Sequence, residues 1–141
     1  LKKHRDYRIL LVGDSGDLNA LLDHPILKLD GVVNMIGETD FSQLCMILKT
    51  ASAVVANDSG IMHVSDALET PLVALFGPTD YTRTGPLSAS SKVLCSQNDC
   101  YCNCYAFKES EDSLLDKFDE DYCMKDITPS NVISTLESIL G

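Results

Sequence analysis

The sequence has no apolar run near the roughly 18 residues that a membrane-spanning helix requires, so no segment of it reads as a membrane span. Positive charge is also scarce: 11 Lys and Arg stand against 21 Asp and Glu, a formal net charge of −10. Non-specific nucleic-acid binding needs a basic face, and bulk attraction to anionic lipid does too, so neither suits this chain. A phosphorylated ligand has to be held by local backbone N–H groups and a few cations, against the overall field. Several named motifs are missing as well. Gly13-Asp14-Ser15-Gly16 is not G-x-G-x-x-G, no Walker lysine pattern is present, and Ser59 lacks the G-x-S-x-G elbow. The chain does not begin with Met, and its basic start, Leu1 to Arg8, is followed only by the short run Ile9 to Val12. That is too short for the apolar core of a signal peptide. The chain reads as a fragment whose upstream part is missing. The sequon Asn57-Asp58-Ser59 then reads as chance, because it falls in a predicted ligand loop of a chain without a signal.

What is present suits one domain with a real core: 141 residues, 45% of them apolar. Ile9 to Val12 reads as a buried strand ending at Gly13. Val32 to Ile36, Ala53 to Ala56, Leu72 to Phe76 and Lys92 to Cys95 read as further strands, the last of them at an edge. Ala53-Val54-Val55-Ala56 is apolar on both faces, the pattern of a central parallel strand. Helices are expected through Leu18 to Leu22, from Phe41 with Thr39 or Ser42 as cap, over Ile61 to Glu69, and through Val132 to Leu140 with Thr128 or Ser130 as cap. Thr70-Pro71 ends the third of these. Strands alternating with helices imply an α/β fold, an open parallel sheet with flanking helices.

In such a sheet ligands bind beyond the C-terminal strand ends. Three loops fall there: Gly13 to Asp17, Asn57 to Gly60, and Gly77 to Asp80, the last opening a loop that runs to Gly85-Pro86. The second is the strongest candidate. Ser59 and Gly60 sit at a helix N-terminus, where free N–H groups and the positive dipole end favour an anion. Gly60 permits close approach of a phosphate, and His63 offers a hydrogen bond from the same helical turn. Asp58 repels phosphate; it serves either as a cap or to orient the loop and a sugar hydroxyl. The plain alternative makes Asp58 and Ser59 ordinary caps and His63 a partly exposed helix residue.

The run from Ala53 to Asp80, with Asp58-Ser59-Gly60-Ile61-Met62-His63, then Pro71, an apolar strand and Gly77-Pro78-Thr79, resembles the signature of family 9 glycosyltransferases. These are the ADP-heptose heptosyltransferases of lipopolysaccharide synthesis. Gly37 to Phe41, Cys100 to Cys104, Cys123-Met124, Ile127 and Pro129 are similar to the family more loosely. The resemblance implies a GT-B enzyme with two Rossmann-like domains, of which residues 1–141 are the C-terminal, N-terminally truncated, nucleotide-sugar-binding domain. It also implies a cysteine-containing tail over 95–141. Asp58, Ser59, Gly60 and His63 would meet the diphosphate and sugar of an ADP-sugar, Thr39 would lie near the adenine or ribose, and Asp17 near the ribose hydroxyls. The catalytic base, an Asp, belongs to the missing acceptor domain, as does any peripheral contact with the membrane; a phosphate-contacting Lys belongs to a missing first loop of the donor domain. The fragment alone is therefore expected to be inactive. The family works as an inverting transferase on a lipopolysaccharide core acceptor, in the bacterial cytoplasm at the inner membrane face. No Asp-x-Asp pair stands beside the site to hold Mg²⁺, so transfer without a metal or other cofactor is expected.

Five of the six cysteines lie in the last third. Cys100, Cys102 and Cys104 fall on one face of an extended segment. With Cys123 or Cys95 they leave three readings open: a zinc site, free or partly buried thiols, or a disulfide to Cys123. The acidic stretch over 109–121 reads as a solvated insertion. Two other functions stand beside the first: the donor domain of a different GT-B nucleotide-sugar enzyme, and a non-catalytic interaction module held by its cysteines.

Overall fold

The computed structural model describes residues 7–77, 79–95 and 124–141. They fall into two compact units, one ending at Ile47 and one starting at Leu48.

The first unit holds strand β1 (Ile9–Leu11), helix α1 (Ser15–Leu21), a 3₁₀ turn (Pro25–Lys28), strand β2 (Val32–Asn34) and the start of helix α2 (Phe41–Thr50). β1 and β2 are parallel, with Ile9 opposite Val32 and Leu11 opposite Asn34. Beyond the ladder, the Met35 N–H donates to the Leu11 carbonyl at 2.9 Å and the Gly37 N–H to the Gly13 carbonyl at 3.0 Å. Glycine is required at 37: its φ is +74, and a Cβ would come within 3.2 Å of the Ser15 Cα. The two loops at the C-terminal strand ends are therefore stitched together. α2 starts at neither expected cap. Asp40 takes that role: its carboxylate accepts the Gln43 N–H at 2.8 Å, and the Gln43 side chain accepts the Asp40 N–H at 2.9 Å. This reciprocal box satisfies two amides at once, which a lone hydroxyl on Thr39 or Ser42 would not.

The second unit contains strand β3 (Val54–Asn57), helix α3 (Gly60–Ala67), strand β4 (Leu72–Phe76), the short helix α4 (Tyr81–Thr84), strand β5 (Ser91–Cys95) and helix α5 (Pro129–Leu140). Its sheet is parallel, in the order β3-β4-β5. β4, not β3, is the central strand. Leu72, Val73, Ala74 and Phe76 are all fully buried, whereas Val55 on β3 stays 43% exposed. Apolar residues on both faces of Val54 to Ala56 permit a central place, but pairing decides it, and within this sheet β3 pairs only with β4. α3 packs on β3 and β4, and α5 on β4. Met62 and Leu48 complete the core, each such side chain stabilising the fold by about 1.5–3 kcal/mol.

Helix ends are closed locally. The Thr128 hydroxyl caps α5 by accepting the Asn131 N–H at 3.2 Å, as one of the two expected residues. α3 ends at Ala67 with Leu68 as its C-cap, two residues before the expected Glu69. Glu69 turns left-handed there, at φ +56. Its N–H donates to the Asp66 carbonyl and the Thr70 N–H to the Ser65 carbonyl, both at 3.0 Å, the paired bonds of a Schellman ending. The buried Thr70 hydroxyl donates to the Leu48 carbonyl at 3.0 Å, and Lys49 Nζ to the Leu68 carbonyl at 2.9 Å. These bonds fix where α3 ends, and so where it starts.

Candidate functional site

β3 delivers its last residue, Asn57, to a two-residue bend, Asp58-Ser59, and α3 begins at Gly60. Ser59 is the N-cap by position, with extended backbone (φ −155, ψ 169), yet its side chain makes no capping hydrogen bond. The first i→i−4 bond of the helix is His63 N–H to Ser59 carbonyl, at 3.3 Å. The amides from Gly60 to Met62 therefore precede the helical ladder and project from its positive end. Among the described residues Gly60 has no steric reason to be glycine: a Cβ would meet none of them within 4 Å. A glycine in ordinary backbone geometry that no described residue crowds suits a group that must approach the backbone from outside.

The plain reading of Asp58 and Ser59 as caps does not match the geometry. The Asp58 carboxylate accepts the Thr84 hydroxyl at 3.1 Å through Oδ2, while Oδ1 lies 3.9 Å from His63 Nε2. Asp58 is largely covered (side chain 18% exposed), whereas His63 projects outward at 55%. His63 is thus placed to donate to an external group. Asp58 is oriented between two neighbours and still has lone pairs to accept a hydroxyl.

Thr84 carried no local signal in the sequence. It lies 26 residues from Asp58, on a helix of four residues inside what read as a continuous loop. α4 starts at Asp80, whose carboxylate accepts the Thr82 hydroxyl at 2.7 Å and the Thr82 N–H at 2.9 Å. These bonds, and to a lesser extent Arg83, hold the Asp80 carboxyl below its ordinary range. The segment after α4 is fastened by Asp66, on α3. Its carboxylate accepts the Leu87 N–H (2.8 Å), the Ser88 N–H (3.0 Å) and the Ser91 hydroxyl (2.8 Å). Burial pushes the Asp66 carboxyl up. The bonds from Leu87, Ser88 and Ser91 outweigh it with help from His63, so it lies below the ordinary 3.8.

A carboxyl lowered on folding stabilises the fold above its unfolded value, and the benefit disappears as pH falls through the folded value. Asp66→Ala is expected to cost about 1–3 kcal/mol at neutral pH, with the gap to the parent narrowing below about pH 4. Urea melts at a series of pH values would measure it.

The remaining two candidates belong to the first unit. Asp17 lies in the first turn of α1, and its carboxylate is engaged: Oδ2 accepts the Asp14 N–H at 3.0 Å, while Asp14 accepts the Gly16 and Asp17 N–H groups. That capping box accounts for an acidic residue at 17 without a ligand. Thr39 is half-buried and lines an open, mostly apolar cleft of about 400 Å³, with Met35, Ser42, Met46 and Ile47 around it. Cys100, Cys102, Cys104 and Cys123, and with them the zinc, thiol and disulfide readings, lie outside the described residues, as does the acidic stretch. Among the described residues no group of three or more His, Cys, Asp or Glu side chains is placed to share a metal, and Cys45 and Cys95 are free thiols.

Residues 1–113 match the family described as Glycosyltransferase family 9 (heptosyltransferase). The chain belongs to glycosyltransferase family 9. Lipopolysaccharide heptosyltransferase 2 of Salmonella typhimurium is 46% identical over 61 residues, 43% of this chain and 18% of that protein. The solved structure of Escherichia coli ADP-heptose lps heptosyltransferase II superposes with a TM-score of 0.72 at 30% identity, over 95% of this chain and 36% of that one. The family 9 glycosyl transferase of Veillonella parvula gives 0.76 at 24% identity, again over 95% and 36%, which bears on the fold. This chain thus spans about a fifth to a third of the length of these relatives. The family 9 structures confirm the expected α/β architecture of parallel strands with flanking helices.

Proposed function

We propose that the chain is the donor-binding part of an inverting glycosyltransferase that moves heptose, or a related sugar, from an ADP-sugar to a lipopolysaccharide core acceptor. The observation that carries this reading is the open first turn of α3. An N-cap serine that does not cap and a glycine whose Cβ position no described residue approaches leave amides and a positive dipole end for a diphosphate. The names of the relatives supply the class of donor and acceptor.

In this reading the Gly60 to Met62 amides and His63 hold the diphosphate. They stabilise it as it leaves, when its charge grows. The Asp58 carboxylate accepts from hydroxyls of the transferred sugar. Within the first unit, the cleft beside Thr39 has a lining, Met35, Met46 and Ile47, that suits the flat face of an adenine. Asp17 has the weakest claim to the ribose, since its carboxylate already closes a cap. The base that deprotonates the acceptor is assigned outside this chain, and charge stabilisation by amides and imidazole needs no metal. Among the described residues no helix is long and apolar enough to cross a membrane. Work at the cytoplasmic face of the inner membrane, with any membrane contact made by the acceptor-binding part, fits the acceptor.

A transfer assay on the intact protein tests the reading. ADP-heptose is expected to be used at least about tenfold better, by kcat/KM, than UDP- or GDP-linked sugars, each tenfold being about 1.4 kcal/mol. Equal use of all three nucleotides would overturn it.

A further inference from the structure

We propose that Thr84 is a positioning residue for donor transfer, acting through the Asp58 carboxylate; this rests on the donor-site reading above. The Thr84 hydroxyl has two acceptors within reach, Asp58 Oδ2 at 3.1 Å and the Asp80 carbonyl at 3.3 Å. The second is the ordinary back-bond of a helical threonine. The first crosses from one loop to another and ends on a charge, so it is the stronger of the two. It matters because a carboxylate next to a diphosphate can help or hinder. Turned so that a lone pair meets a sugar hydroxyl, it binds; turned toward the phosphates, it repels. The terminal torsion of aspartate is soft and roughly two-fold, so its setting must come from neighbours. Thr84 holds Oδ2, and His63 stands 3.9 Å from Oδ1. The support behind Thr84 is itself tied down: Asp80 caps the start of α4, and three hydrogen bonds to Asp66 anchor the chain that follows.

The test compares Thr84→Val, which keeps the shape and removes the donor, with Thr84→Ser, which restores it, alongside Asp58→Asn and the double variant Thr84→Val/Asp58→Asn. Steady-state transfer from ADP-heptose and calorimetric binding of ADP are read on the intact protein. Thr84→Val is expected to lower kcat/KM by roughly tenfold, the worth of one hydrogen bond to a charge, with ADP affinity unchanged because ADP lacks the transferred sugar that Asp58 is assigned to meet. Thr84→Ser should recover to within about threefold. The double variant should be no worse than Asp58→Asn alone, since the two residues act as one unit. Wild-type activity in Thr84→Val, failure of Thr84→Ser to recover, or additive losses in the double variant would each overturn the proposal while leaving the donor site standing. If Asp58→Asn transfers as well as the parent, the donor-site assignment of Asp58 fails, and the Thr84 proposal with it.

Discussion

Gly60→Ala is expected to leave the fold intact and to weaken ADP-heptose binding by roughly 10²-fold, the worth of one or two hydrogen bonds to charged phosphate oxygens. The two halves of this result have separate causes. Gly60 is helical, and a Cβ there touches none of the described residues. Alanine is also the better helix former by up to about 1 kcal/mol. The melting temperature should therefore stay level or rise by about a few degrees. The new methyl group would occupy the space through which a phosphate reaches the first-turn amides. Calorimetry with ADP-heptose beside a thermal melt separates the two effects. A variant that loses stability along with affinity would instead show that glycine serves the fold.

His63→Ala is expected to lower kcat by about 10²-fold, with a smaller loss of ADP affinity. A donor aimed at a leaving diphosphate does most of its work when the glycosidic bond has lengthened and negative charge has moved onto the phosphates. The same donor meets less charge in the ground state, so binding suffers less than turnover. The side chain is more than half exposed, and among the described residues Asp58 at 3.9 Å is its ion-pair partner. Removing it should therefore perturb the fold little. Single-turnover rates at saturating donor, set against the Kd for ADP, measure the split. Equal losses in affinity and kcat/KM with kcat unchanged would assign His63 to uniform binding of the nucleotide instead.

The local geometry of the candidate site was legible in the sequence where its parts are contiguous. Asp58, Ser59, Gly60 and His63 lie within six residues between an apolar strand and an amphipathic helix, and that order alone places a helix N-terminus beyond a strand end. All five strands were legible for the same local reason, as short apolar runs bounded by turns. What was not legible depended on pairing across distance. Val54 to Ala56 has the composition of a central strand, but the register that puts Leu72 to Phe76 between two partners is a property of three segments together. Thr84 meets Asp58 across 26 residues, and Asp66 meets Leu87, Ser88 and Ser91 across 21, 22 and 25; no spacing rule announces such contacts. Asp40 was missed for a different reason. Thr39, Asp40 and Ser42 are all good caps, and only the reciprocal bond with Gln43 decides among them.

In the proposed donor site the first turn of α3 holds the diphosphate. The most direct measurement is a titration of the isotope-labelled intact protein with ADP, followed through its backbone amide resonances. The largest shifts are expected on Gly60, Ile61 and Met62, saturating with ADP and collapsing in Gly60→Ala. Saturable ADP binding that leaves these three amides unmoved, or that survives unchanged in Gly60→Ala, would contradict this placement of the diphosphate.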